Sequence, residues 1–153
     1  MAFIVRTAQR VDHALISAVL ARLDAFDQDA LPPHLHRPGL AHSIHALLLD
    51  PDHAVIYLAE EGSKLVGLAV AALHAPPNGD PRRVSIAALV IRGRLQREGL
   101  GRVLMGRVHR WAEACDAEWI DLRLPDSQQA VSFYSQLGYA RVGRHRMVRR
   151  VLD

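Results

Sequence analysis

The chain has 153 residues, half of them hydrophobic and 23% charged, with a formal charge of +3 and a single cysteine. That balance excludes wholesale disorder and fits one domain spanning 1–153. No apolar run is long enough for a membrane span, Met1–Thr7 reads directly into structured sequence without a signal peptide, and Cys115 has no partner for an internal disulfide. The expectation is a cytoplasmic protein with no membrane partner.

"FIVRTA" reads as an opening strand. From Ala8 the period changes, and Val11, Leu15, Ala18, Val19, Leu23 and Phe26 fall on one apolar helical stripe. "ALPPHLHRPGLAH" breaks the pattern as a loop, and a second helix covers Ala41–Leu49, ending before Pro51. "AVIYLAEE" and "KLVGLAVAAL", separated by Glu61-Gly62-Ser63, read as a hairpin. "RRVSIAALVI" is nearly continuous in apolar residues, as a central strand covered on both faces should be.

Gly99–Ala114 is helical, with Leu100, Val103, Leu104, Val108, Trp111 and Ala112 facing one way. "EWIDLRL" alternates, with Ile120, Leu122 and Leu124 on one side. Asp126 and Gln129 resemble a capping box, opening a helix that carries Ala130, Phe133, Tyr134 and Leu137 on one face and stops at Gly138. "YARVG" and "HRMVRRVL" close the chain as two strands, the last of which could pair across a homodimer. The order β-α-α-β-β-β-α-β-α-β-β is that of an α/β domain, a mixed twisted central sheet flanked by helices.

Arginines are dense at Arg92–Arg107 and Arg141–Arg150 but spread elsewhere, and aromatic residues are only 5%. Platforms for stacking bases are therefore scarce, and nucleic acid is not the expected partner. The first cluster reads as a local anion site and the second as a solvated edge strand. The first surrounds "QREGLGRVLM", where a strand, a glycine-bearing turn and a helix follow one another. Unpaired N–H groups of a first helical turn converge on one point, and the helix dipole adds partial positive charge. A Walker A loop would need lysine and a hydroxyl residue after the last glycine, where Arg102 and Val103 stand. A dinucleotide fingerprint would need a third glycine where Leu104 stands.

What remains, Gln96-x-x-Gly99-x-Gly101, matches the Gln/Arg-x-x-Gly-x-Gly/Ala pattern of coenzyme A binding in the GNAT superfamily of N-acyltransferases. "SFYSQLGY" resembles that family's C-terminal Phe-Tyr-x-x-x-Gly-Phe/Tyr signature and lies one strand and one helix further on, in the family's order. The resemblance covers nearly the whole chain, most specifically Leu89–Tyr139.

The resemblance implies acetyl-CoA as acyl donor and an amine of a small molecule or protein as acceptor. Its pyrophosphate would lie on backbone amides within Gln96, Arg97, Glu98, Gly99, Leu100, Gly101 and Arg102. The backbone of Leu89, Val90 and Ile91 would pair with the pantetheine arm, in a gap where that strand splays from the next. Ser127 aligns with a family asparagine that contacts the cofactor, and Tyr134 with a tyrosine near the sulfur. One departure stands out. Many members carry a basic glutamate on the central strand, and "RRVSIAALVI" has no carboxylate. Glu60, Glu61, His74 and His145 are the candidate replacements, and a CoA-binding sensor or assembly module without efficient turnover is the alternative reading. His34, His36, His42 and His45 lack a cysteine or carboxylate at ligand spacing and read as surface or substrate-loop residues, so no metal is expected.

Overall fold

The computed structural model describes residues 3–93 and 99–152. Its strands and helices run β1 (Ile4–Thr7), α1 (His13–Leu23), α2 (Leu40–Leu48), β2 (Ala54–Glu61), β3 (Lys64–His74), β4 (Arg83–Ile91), α3 (Leu100–Ala114), β5 (Trp119–Arg123), α4 (Gln128–Gln136), β6 (Ala140–Val142) and β7 (Arg146–Arg150). This is the mixed α/β order expected from the hydrophobic periods. Among the described residues, seven strands form one sheet in the order β1-β2-β3-β4-β5-β7-β6. Neighbours are antiparallel except β4 and β5, which are parallel and joined through α3. No helix among the described residues is long and apolar enough to cross a membrane.

Alternation along the strands feeds two cores. Ile56, Leu58, Leu68, Val70 and Ala72 pack with Ile16 and Leu20 of α1 and with Ile44 and Leu47 of α2. Ala69, Ala71, Ile86, Ile120 and Leu122 face the other way, onto Leu104 and Val108 of α3 and Tyr134 of α4. The sheet is thus covered on both faces, as the unbroken apolar runs of β3 and β4 require.

The apolar stripe expected on α1 is not the buried one. Ile16 and Leu20 are buried, whereas Val11 is 87% exposed, and Leu15 and Leu23 are also exposed. A 3₁₀ turn at Arg10–Asp12 precedes the helix and resets its phase. Arg6 fixes that turn: its Nη1 and Nη2 donate to Asp12 at 2.9 and 2.8 Å, and its Nε donates to Glu60 at 2.6 Å. The Arg6 guanidinium holds the Asp12 carboxyl below the usual carboxylate range. Asp12 therefore points inward, and Ile16 and Leu20 follow it at helical spacing.

Two expectations for the C-terminal segment are overturned. "HRMVRRVL" is not a free strand for dimer pairing, because β7 lies between β5 and β6, and β6 is the edge. Nor are its arginines simply solvated, since Arg146 pairs with Asp121 and Arg149 donates to His109.

Candidate active site

β4 and β5 pair only through Arg83↔Trp119, Val84↔Ile120 and Ser85↔Asp121. Beyond that point each keeps its outer neighbour, β3 or β7, and they lose each other. A bulge contributes to the divergence. Val70 pairs with Ala88 and Ala71 with Ile86, which leaves Ala87 out of register. The Ala87 carbonyl instead accepts from the Asp27 amide at 2.8 Å, seating the α1–α2 connection on β4. The bulge also inverts the alternation, so that Ala87 and Ala88 both join the α1–α2 core while Leu89 and Ile91 pack toward α3 and α4.

Two cavities occupy the divergence. One, of about 390 Å³, runs from Asp24 and Asp27 past Ala88 to Leu122, Asp126 and Tyr134. The other, of about 220 Å³, is lined by Leu89, Ile91, Gly101, Ser127, Phe133 and Tyr134, among others. Tyr134 belongs to both. A third cavity, between α1 and the ends of β3 and β4, touches neither Tyr134 nor β5.

The two glycines of the turn serve different physical ends. Gly99 is the N-cap of α3 at φ +83°, where a β-carbon would have open space but a strained backbone. Gly101 lies inside the helix and is buried. A β-carbon there would stand 2.9 Å from Ile91 Cδ1 and 3.0 Å from Phe133 Cζ. Gly101 thus allows α3 to approach the "SFYSQLGY" helix and β4, independently of any ligand. The first bond inside α3 is Val103 N–H to the Gly99 carbonyl at 3.2 Å, so the amides of Leu100, Gly101 and Arg102 precede the helical ladder. The Arg102 guanidinium donates to Gln136 at 3.1 Å. Gln96, Arg97 and Glu98 lie outside the described residues.

Ser127, not Asp126, is the N-cap of α4. Its Oγ accepts from the Ala130 amide at 3.1 Å, so a plain serine cap replaces the expected capping box, since Ala130 has no polar side chain to return the bond. The hydroxyl keeps its proton free to donate into the smaller cavity. Tyr134 is 6% exposed, and burial pushes its hydroxyl above the ordinary tyrosine range. Its ring is held edge-on by Phe133 at 5.1 Å and Tyr139 at 5.5 Å between centroids. Tyr139 is in turn 2.8 Å from His109 Nε2. The aromatic signature of the sequence is therefore one packed stack that presents Tyr134 to both cavities.

The candidate bases fare unevenly. Glu60 is paired with Arg6, away from the cavities. His74 donates from Nε2 to the Ala30 carbonyl at 2.8 Å and lies near the Arg83 guanidinium, at the closed end of β4. His145 is exposed, and its backbone carbonyl accepts from Leu124. Glu61 ends β2 at the hairpin turn. The acids in the wall of the larger cavity are instead Asp24, Asp27 and Asp126. Asp27 accepts from the exposed Arg123 at 2.6 Å and from the Asp29 amide at 3.1 Å. Burial pushes the Cys115 thiol up, which disfavours the thiolate a nucleophile would need.

The sequence missed a polar cluster that closes the other end of the gap. Asp121, 6% exposed, accepts from Arg83 at 2.9 Å, from Ser85 at 2.6 Å and from Arg146. The alternation of "EWIDLRL" signalled that Asp121 faces away from Ile120 and Leu122, but nothing in it signalled that this second face is also covered.

The family model for the acetyltransferase (GNAT) domain matches residues 33–152. No curated protein sequence matches the chain. Solved structures share the fold at low identity. Arabidopsis thaliana NAA60 in complex with acetyl-CoA aligns with TM-score 0.75 and 11% identity over 99% of this chain and 100% of its own. An aminoglycoside acetyltransferase, HMB0005, from an uncultured soil metagenomic sample aligns with TM-score 0.70 and 21% identity over 95% and 96%. Arabidopsis thaliana glucosamine-6-phosphate N-acetyltransferase aligns with TM-score 0.69 and 14% identity over 94% and 95%. With its strand order, its divergent parallel pair and a family match over most of its length, the chain belongs to the GNAT acetyltransferase family.

Proposed function

We propose that the chain is an acetyl-CoA-dependent N-acetyltransferase in which an acceptor amine attacks the thioester carbonyl directly, within a ternary complex. The observation that carries this reading is the divergence of β4 from β5, with Tyr134 at the junction of its two cavities. The donor would thread the smaller cavity along Leu89, Val90 and Ile91. Its pyrophosphate would meet the first-turn amides of α3 at Leu100, Gly101 and Arg102, beside Gly99, with Gln96, Arg97 and Glu98 completing the cradle. Ser127 would donate its remaining hydroxyl proton to the arm. The acceptor would enter the larger cavity from the α1–α2 side, where Asp24, Asp27 and Asp126 favour a cationic amine over an anion.

Tyr134 is the catalytic residue of this reading. A thiol titrates near 8.5 and an unperturbed tyrosine near 10, so full proton transfer from tyrosine to the departing thiolate is uphill by about 2 kcal/mol. Burial of the Tyr134 hydroxyl widens that gap. Its role is therefore to hold its proton and stabilise the departing sulfur by a hydrogen bond. Deprotonating an alkylammonium that titrates near 10.4 costs about 4–5 kcal/mol at pH 7. With no carboxylate on β4, kcat/KM should climb about tenfold per pH unit until the amine itself titrates.

An acceptor screen over amines with mass detection of acetylated products tests the reaction. Titration with CoA, dephospho-CoA and pantetheine tests the donor site, with CoA expected to bind at least tenfold tighter than pantetheine and the preference shrinking with salt. The absence of a strand carboxylate, with Glu60 and His74 engaged elsewhere, favours one alternative, a CoA-binding sensor. Tight CoA binding without product from any amine would select it.

A further inference from the structure

We propose that His34, Asp50 and His53 form a site for a divalent transition-metal ion, with zinc the fitting example. His34 comes from the Pro33–Leu35 turn, whereas Asp50 and His53 stand three residues apart in the turn between α2 and β2. The separation of His34 from that pair hides the set from sequence, where no carboxylate stands at ligand spacing from the first histidines. In the fold, one ligand atom from each residue lies within 4.8 Å of the other two. His34 Nε2 is 3.0 Å from Asp50 Oδ2, and His53 Nδ1 is 3.0 Å from Asp50 Oδ1. The two imidazoles meet edge to face at 4.9 Å between centroids.

Zinc binds imidazole nitrogen and carboxylate oxygen at about 2.0–2.2 Å, which places tetrahedral ligand atoms about 3.3 Å apart. Each histidine is 3.0 Å from a different oxygen of Asp50, so the carboxylate has to turn to bring one oxygen within reach of both nitrogens, and the two nitrogens need to draw together. Both histidines can make that movement. Their side chains are 51% and 38% exposed, which also leaves an entry path and room for water as a further ligand. Two imidazoles with one carboxylate suit zinc and its first-row neighbours better than the oxygen-seeking magnesium or calcium. In the metal-free state each ring donates an N–H to Asp50, so binding requires each neutral ring to move its proton to the other nitrogen. No redox step is involved. Adjacent Pro32 and Pro33 restrict the backbone that presents His34. The metal would therefore tie the loop of the α1–α2 connection to the α2–β2 turn, outside both cavities that Tyr134 lines.

The test is calorimetric titration of the tag-free, chelator-treated full chain with zinc chloride. One saturable site per chain is expected. H34Q and H53Q should each weaken it at least tenfold, whereas H42Q and H45Q, on α2 but outside the set, should bind as the parent does. D50N, which keeps the side-chain shape at the turn, should also weaken it. Hydrogen exchange through residues 32–36 should slow with zinc in the parent and not in H34Q. No saturable binding by the parent, or equal binding by the parent, H34Q and H53Q, overturns the proposal. Circular dichroism of each variant separates lost ligation from lost folding.

Discussion

β4 behaves as two strands in sequence. Its first three residues, Arg83–Ser85, are paired on both sides, and the contact is locked by polar groups: Arg83, Ser85 and Arg146 all donate to the buried Asp121. Beyond Ile86 the strand is apolar, carries a bulge and keeps β3 as its strand neighbour while cavities replace β5. The difference explains how a sheet can be held open. The backbone ladder between β4 and β5 ends at Ser85 and Asp121, and there a carboxylate with three donors fixes the point where the divergence begins. Charge-assisted bonds of this kind are about twice as strong as neutral ones. The polar half sets the geometry, and the apolar half presents it.

The open half is broken most sharply at Tyr134. Tyr134→Phe keeps the ring, its stack and its burial but removes the hydroxyl, so kcat should fall about tenfold to a thousandfold while CoA affinity is nearly unchanged. Steady-state rates with an acceptor from the screen, paired with a CoA titration, decide it. Unchanged turnover would reduce Tyr134 to a core aromatic. In the closed half the comparable change is Asp121→Ala, which strands two arginine side chains that are each about 40% exposed. Removing one partner of a fully buried pair costs about 3–5 kcal/mol, and partial exposure lowers this to about 2–3 kcal/mol. Urea unfolding should show that loss. A variant as stable as the parent would mean that the cluster does not hold the strands together.

The glycines sharpen the comparison at smaller magnitude. Gly101→Ala forces a β-carbon to 2.9 Å from Ile91 and 3.0 Å from Phe133, two walls of the smaller cavity. It should cost about 1–3 kcal/mol of stability as overpacking and weaken CoA binding by shifting those walls. Gly99→Ala meets no atom but must hold φ +83°, at about 1 kcal/mol. Chemical unfolding together with CoA titration separates the two. Equal stability of Gly101→Ala and the parent would show that Phe133 and Ile91 move aside freely. A larger residue such as valine at 101 would distort the fold and could not report on phosphate approach alone.

The contrast between the halves also governs what the sequence disclosed. Periodicity revealed the element order where a helix buries one face, as α3 does with Leu100, Leu104, Val108 and Ala112, and where a strand reads as an apolar run, as in β3 and β4. It failed at α1, where Arg6 and Asp12 set the phase of the helix: an ion pair between a strand and the turn after it has no periodic signature. It could not show the bulge at Ala87, because a run of apolar residues reads the same before and after a register slip. The glycine turn and the aromatic signature were legible as a pair, although the packing requirement at Gly101, against Ile91 and Phe133, was not. The grouping of the larger cavity's acids was hidden for a different reason. Asp24 and Asp27 precede α2, Asp126 precedes α4, and only the seating of Asp27 on the bulged strand brings them to one opening.

The smallest predicted effect is a pH dependence that reports on the two halves separately. His109 lies beneath the open half. Arg149 donates to its Nδ1 at 2.6 Å, so the ring proton is on Nε2 and is donated to the Tyr139 hydroxyl. Burial, with the Arg149 charge as second cause, lowers this histidine to about 4. His74, beside Arg83 in the closed half, is also lowered, again chiefly by burial. An unfolded chain protonates both near 6.5, so between there and the folded values the unfolded state binds more protons. Stability must therefore rise with pH through this window and be lost as pH falls from about 6.5 toward 4. After discounting for the water that reaches the His109 ring, its share is about 1–2 kcal/mol. Glutamine is neutral and can still accept from Arg149, so His109→Gln should flatten the slope, and His74→Gln should flatten it independently because the sites share no partner. Urea midpoints measured across the window give both slopes. If His109→Gln leaves the slope unchanged, the ring titrates in the fold as it does in water, and the stack beneath Tyr134 is wetter than its burial implies.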